Sequence, residues 1–451
     1  MKAKAWRLYG ARDARLEDIE LEGAGEDGVV VEIVTNTICV SDYKAVSLGT
    51  GHKRVPRDLA TRPILFGHET CGVVREVGAK WRGRFEPGRR VCIQPAFNIP
   101  GHELETMGYA WHTIGGETTA VWLPSIVMEM GCLLPYDGDA FFPGSLAEPV
   151  SCIVSAFRTN YHHAFGSHRH EMGIRDGGTM LLLAGCGAMG LGCIDLACHS
   201  PEKRPRRLVV TDIDDARLAR AARVFGLPKE GGRVNGVEVR FLNTRGLADP
   251  VAALKAFNAA DAADPANPTS TGGGYDDVFL FAAVPELITQ CSSLLAFGGC
   301  LNFFAGPTDQ NLTAPFNFYN VHYMGHHVVA NSGGDVKDMA DAVDWIGRGI
   351  LHPEVMITHV GGLGSAAQAT LDLPVLPGGK RLVYTHADLP MTAIADFAEK
   401  GRSDPLFAEL DRLCRAAGGL WCKAAEEHLL AHAPRVRIGE PKELVVERRI
   451  G

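Results

Sequence analysis

The sequence predicts an α/β protein with a β-rich first unit, a doubly wound parallel-sheet unit, a return to the first unit, and a helical C-terminal extension. Three observations carry this. Short β-rich runs broken by Gly, Pro and Asp fill residues 1–150. From Met180 onward, strand-like runs alternate with helical stretches, the rhythm of βαβ units. Beyond Asp388 the composition turns helical. A chain of 451 residues suits two or three domains at about 150 residues each. The expected division is 1–155, 156–331, a return over 332–386, and the extension 387–451.

In chain order, Val29–Val34 and Gly72–Val77 read as strands, and Pro87-Gly88-Arg89-Arg90-Val91 as a turn feeding another. Helical signals are sparse before Glu148-Pro149. The second unit takes its strands from Met180–Ala184, Leu208–Thr211, Asp277–Ala282 and Gly299–Phe304. Ala253–Gly274, rich in Ala, Asp, Pro and Gly, reads as a surface insertion. The return ends at Gly379–Tyr384. Helices are then expected over Ala393–Glu399, Pro405–Ala417 and Leu420–His432.

Composition excludes several functions. With 45 Lys and Arg against 53 Asp and Glu, the net charge of -8 and the lack of a basic run argue against nucleic-acid binding. Met180–Cys198 is the most apolar stretch, but it is Gly-rich, carries Asp195 and falls short of the ~20 residues of a membrane span. Nothing at the start resembles a secretory signal. Twelve scattered Cys form no disulfide framework, which points to a reducing, cytoplasmic setting.

Met180–Ala184 runs directly into Gly185-Cys186-Gly187-Ala188-Met189-Gly190 and then an apolar helix. In such a fingerprint the first glycine permits a tight turn, the second lets backbone approach a pyrophosphate, and the third lets helix pack on strand. The helix N-terminus offers its N–H groups to the phosphates. Asp212, about 20 residues on, ends the second strand, where a carboxylate accepts ribose hydroxyls and repels a 2′-phosphate. A Rossmann unit preferring NAD(H) over NADP(H) follows. The bland alternative is a glycine turn of a generic α/β domain.

Three places remote in sequence hold residues of metal-ligand type: Cys39, His68-Glu69 and Glu148. Thiolate, imidazole and carboxylate suit zinc, and three protein ligands with an open position define a catalytic site. Taken singly, each reads equally as a buried thiol, a core histidine or a solvated acid.

The run Gly67-His68-Glu69-x-x-Gly72-x-Val74-x-x-Val77-Gly78 resembles the zinc signature of the medium-chain alcohol dehydrogenase superfamily. Cys39-x-Ser41-Asp42 resembles its upstream ligand-and-relay motif, and Glu148-Pro149 the position where polyol dehydrogenases carry Glu. Within the family the chain is most similar to sorbitol dehydrogenases, and more closely to the bacterial L-sorbose-1-phosphate reductase group around His52–Pro56 and Gly101-His102-Glu103. The resemblance covers residues 1 to about 386.

That resemblance implies a GroES-like β-rich catalytic domain with a Rossmann domain inserted in it, and a site in the cleft between them. It implies zinc held by Cys39, His68 and Glu69 or Glu148, with both acids kept as candidates. Ser41 would relay the alcohol proton to a ribose hydroxyl or to Lys44, which stands where many relatives end the relay with histidine. Arg217 would touch the adenosine ribose, or is a solvated helix charge. Trp81 departs from the signature without consequence. Gln94–Leu123 lacks the four close Cys of a structural-zinc lobe, so one zinc is expected.

His52, Lys53 and Arg54, with Arg57 nearby, read as phosphate capture or as a solvated basic loop. His162, His163, His168 and His170 read as surface residues. The expected activity is zinc-dependent, NAD(H)-linked hydride transfer to or from a polyol, ketose or sugar phosphate. The alternatives are an L-threonine-type dehydrogenase and a non-catalytic NAD-binding protein. Homodimers or homotetramers are expected, with the helical tail at an interface.

Overall fold

The computed structural model describes residues 1–97, 100–163, 166–259, 273–376, 378–439 and the strand 444–445. Two compact units emerge, one of Met1–Pro149 with Asp335–Gly451, the other Val150–Gly334.

The first unit is built on a central strand, Val29–Thr37, buried along nearly its whole length because it is covered on both faces. It pairs antiparallel with Glu69–Val77, with Ala120–Leu123 and with Lys380–Tyr384. The eight-stranded sheet runs on through Arg90–Ile93 to Leu133–Pro135 at one end and through Ile357–Gly362 to Thr392–Ala393 at the other. Register places Thr37 opposite Glu69 on one side and opposite Leu382 on the other, so Lys380 falls at the same end of the sheet. A smaller sheet pairs Lys2–Gly10 with Asp13–Glu20 and Ile64–Leu65. Val29, Val31, Ile33, Val74, Val91, Val121 and Leu133 form one apolar core; Trp6, Leu8, Val46, Leu59, Phe66 and Leu363 form another.

This unit holds more helix than its sequence announces: Val40–Leu48, Ser125–Glu129, Phe142–Ser145 and the start of Ala147–Thr159. The first lacks an apolar stripe and is set by its cap instead. Cys39 N donates to Asp42 Oδ2 at 3.0 Å, a capping box built on a cysteine. Helices of the C-terminal extension, Phe397–Lys400, Pro405–Ala416 and Lys423–His432, bury Phe397, Phe407, Leu410, Trp421 and Leu429 within this same unit.

The second unit is a doubly wound sheet. Its parallel strands run in the order Val237–Asn243, Arg207–Asp212, Thr179–Leu183, Tyr275–Leu280, Leu295–Phe303, His327–Val329, with Gly231–Val234 antiparallel at one edge. Strand direction of travel reverses at Thr179–Leu183, the switch point where such sheets bind ligands. Thr179–Leu183 is buried throughout, as a strand covered by helices on both faces must be.

Two expectations change here. The start of the supposed insertion is the helix Pro250–Ala259, which buries Leu254 and Asn258; residues 260–272 lie outside the described residues. His162 is buried, its ring nitrogens 3.0 Å from Gly298 O and from Asp277 Oδ1. A histidine satisfied on both nitrogens needs no solvent. His168 and His170 are exposed, and His163 is half-buried against His327. Among the described residues, no helix is long and apolar enough to cross a membrane.

Candidate active site

Cys39 Sγ, a His68 ring nitrogen and a Glu69 carboxylate oxygen lie within 4.8 Å of one another, His68 and Glu69 being buried. The helix cap presents Cys39, and the loop entering strand Glu69–Val77 presents His68. Asp42 Oδ1 sits 2.8 Å from His68 Nδ1. That contact orients the ring. Burial works against charge on His68, but the Asp42 carboxylate outweighs it, and the imidazole titrates well above its ordinary range.

Glu69 is held at both oxygens, by the Thr37 hydroxyl and by the Lys380 ammonium. Burial disfavours the Lys380 charge; Glu69 and Cys39 reverse this and push its pKa up. Glu148, in the first turn of Ala147–Thr159, is buried close enough to feel His68, Glu69 and Lys380; burial raises its pKa, and His68 opposes the rise. A half-buried thiolate, a buried imidazole and the buried Glu69 carboxylate converging within 4.8 Å, with Glu148 buried in their neighbourhood, are a donor set that fits zinc.

Tyr109 ties the cluster to the residues expected to meet substrate. Its hydroxyl donates to Ser41 Oγ at 2.7 Å and lies 2.7 Å from His68 Nδ1, while Ser41 Oγ donates to Cys39 Sγ at 3.0 Å. His52 stacks at a tilt, 6.1 Å from the Tyr109 ring. Burial lowers its pKa, helped by Arg54, Lys53 and Lys44, so three cations share its neighbourhood. Burial also lowers the Lys44 pKa, against the pull of Cys39. Arg54 Nε is buried without a hydrogen-bond partner among the described residues. Behind His68, Glu117 is buried and accepts from Asn36 Nδ2 at 2.8 Å. Burial and Asp42 push its carboxyl up to about 8.

In the second unit the three glycines serve different ends. A Cβ on Gly190 would sit 2.1 Å from Gly185 O, so only glycine lets this helix close on the strand. A Cβ on Gly187 would meet nothing within 4 Å, leaving the space before the helix Ala188–His199 open. That open cradle fits a pyrophosphate. The turn expected at Gly185 is made by Ala184 instead, at φ 57°, while Gly185 is required by the closeness of Leu182 Cβ, 2.7 Å from where its own Cβ would stand. Met189 follows in the first turn of the helix. Asp212 is buried, its Oδ1 accepting from Ile213 N and Asp214 N at 2.8 and 3.1 Å. Arg217 is exposed, its backbone N–H bonded to Asp214 Oδ1.

Sequence reasoning passed over Thr37, Tyr109 and Lys380 and gave Asp42 no part of its own. Asp42 was detectable, three residues past a cap. Tyr109 and Lys380 arrive from distant chain and carry no local signal.

Residues 25–138 match the family described as the alcohol dehydrogenase GroES-like domain. The chain is 43% identical over 430 residues to L-sorbose 1-phosphate reductase of Klebsiella pneumoniae, covering 95% of this chain and 97% of that one. It is also 43% identical over 424 residues to mannitol-1-phosphate 5-dehydrogenase of Aliivibrio fischeri, covering 94% and 96%. The crystal structure of 2R,3R-butanediol dehydrogenase from Bacillus subtilis superposes with a TM-score of 0.66 at 20% identity, covering 85% of this chain and 99% of that one. That likeness shows the fold.

Proposed function

Because the chain belongs to the zinc-dependent medium-chain alcohol dehydrogenase superfamily and is an oxidoreductase of that kind, we propose that it moves hydride between NAD(H) and a phosphorylated polyol or ketose. The convergence of Cys39, His68 and Glu69 within 4.8 Å carries the reading. Bound zinc would supply Lewis-acid polarisation of the substrate oxygen, and the dinucleotide the hydride acceptor or donor. Cys39, His68 and Glu148 are the proposed ligands, with Glu69 the alternative carboxylate. The Thr37 and Lys380 bonds to Glu69 support giving Glu148 the resting position. Lys380 offsets the second buried acid, which would otherwise leave the site anionic.

Ser41 takes the substrate hydroxyl proton and passes it to a cofactor ribose hydroxyl or to Lys44. The depressed Lys44 pKa supports that ending, since a less basic amine returns the proton more readily. His52, Lys53 and Arg54 hold the substrate phosphate; the unpartnered Arg54 Nε supports an anion there. Gly185, Gly187, Ala188, Met189 and Gly190 cradle the cofactor pyrophosphate. Asp212, with Arg217 beside the adenosine ribose, gives NAD(H) preference over NADP(H).

One zinc per chain, a reducing cytoplasm and a homodimer or homotetramer complete the reading. None of the cysteines is joined in a disulfide among the described residues, which supports the compartment. Helix Phe318–Met324 buries none of its residues and supports assembly. Paired assays test the function: NADH oxidation with ketose 1-phosphates and their unphosphorylated ketoses, on wild type and Arg54→Ala. A phosphate preference that falls in Arg54→Ala is expected. Equal turnover of both members of each pair, unchanged by the mutation, would overturn the sugar-phosphate assignment.

A further inference from the structure

The helical C-terminal extension has no part in the chemistry above, yet one of its side chains reaches the segment that leads into Glu148. Glu426, on helix Lys423–His432, is buried at 2% exposure. Its Oε1 accepts from Phe141 N at 2.6 Å and its Oε2 from Phe142 N at 2.9 Å. These N–H groups open the short helix Phe142–Ser145, where no intrahelical carbonyl can reach them. The carboxylate is itself fixed. Tyr384 OH donates to Oε2 at 2.9 Å, and Trp421 Nε1 donates to Tyr384 OH at 2.8 Å.

The capped segment is also pinned from the central strand. Thr35 Oγ1 donates to Phe141 O at 3.2 Å, and Thr37 Oγ1 lies 3.3 Å from Ser145 O while also donating to Glu69. The Arg90 guanidinium lies over the Phe141 ring, 4.7 Å from its centroid. Beyond Ser145 the chain turns directly into the helix carrying Glu148. Glu426 thus caps the turn that leads into the helix carrying Glu148, and it comes from a part of the chain nearly three hundred residues away.

We propose that Glu426 is a positioning residue for the metal site, fixing the approach of Glu148 by capping the Phe142–Ser145 turn. This rests on Glu148 being a zinc ligand. The extension is then a brace for the metal centre. Glu426→Gln keeps the volume and the Tyr384 contact but cannot accept both backbone N–H groups as a carboxylate does.

Zinc affinity is measured on the full chain by competition with a chromogenic chelator, and ligand geometry from the visible absorption of the Co²⁺-substituted protein. Glu426→Gln is expected to bind zinc about ten-fold more weakly, the low end for outer-shell partners, with altered cobalt bands. In a Glu148→Ala background the same mutation should cost nothing further, because its route to the metal is gone. An equal loss in both backgrounds, or no loss in either, overturns the proposal. No effect of Glu148→Ala alone would instead remove the ligand assignment on which it stands, and the proposal with it. Should Glu426→Gln not fold, Tyr384→Phe releases the same carboxylate from one side. A smaller loss, again absent in Glu148→Ala, is expected, and an unchanged affinity overturns the idea.

Discussion

Lys380→Met isolates the buried charge pair beside the proposed metal site. Lys380 and Glu69 side chains are 5% and 0% exposed and in direct contact. Two unit charges about 4 Å apart at an effective dielectric of about 20 attract by about 4 kcal/mol. Removing one partner leaves Glu69 buried and uncompensated beside Cys39 and Glu148, and such losses run about 3–5 kcal/mol. Methionine fills most of the lysine volume, so the cavity contribution is small. The metal-stripped variant should therefore lose about 3–5 kcal/mol in urea unfolding. The zinc-loaded variant should lose less, since the cation supplies positive charge to the same acids. Adding Glu69→Gln should recover most of the loss. A metal-stripped Lys380→Met as stable as wild type, or a double variant no better than the single, would refute the reasoning.

Other outcomes follow from the same geometry. Gly190→Ala should destabilise by about 1–3 kcal/mol in thermal unfolding, its methyl colliding with Gly185 O. Gly187→Ala should keep wild-type stability yet weaken NADH binding in a fluorescence titration, because its methyl enters the open space proposed for the pyrophosphate. Glu117 has an ordinary pKa of 4.5 and a folded value of about 8. Between those limits the folded protein keeps a proton that the unfolded chain has released, so stability falls as pH rises through that window and levels above it. Glu117→Gln should remove that slope, about 1.4 kcal/mol per pH unit, in urea titrations from pH 5 to 9. An unchanged slope would show that another group carries it.

Much of the fold was legible because its signals are local. The strand–glycine–helix fingerprint, Asp212 at a strand end, and the apolar strands from Met180 to Phe304 each announce themselves within a few residues. The helix Val40–Leu48 was not legible, since its cap is a cysteine and its apolar residues line no single face. His162 looked like surface because its partners, Gly298 and Asp277, lie more than a hundred residues away. At the candidate site, residues of metal-ligand type showed in the chain, but Lys380 and Tyr109 reach it only through strand register and loop packing. Propensity carries no trace of either. Ala184, rather than Gly185, makes the left-handed turn, a detail of backbone angle that a glycine count cannot supply.

The most direct measurement is zinc content by elemental analysis, paired with NAD⁺ reduction across a polyol and sugar-phosphate panel, on wild type and Cys39→Ser. About one zinc per chain in wild type, lost together with turnover in Cys39→Ser, is the expected result. Full zinc retention with unchanged turnover in Cys39→Ser would contradict the metal site and leave a zinc-free reductase in its place.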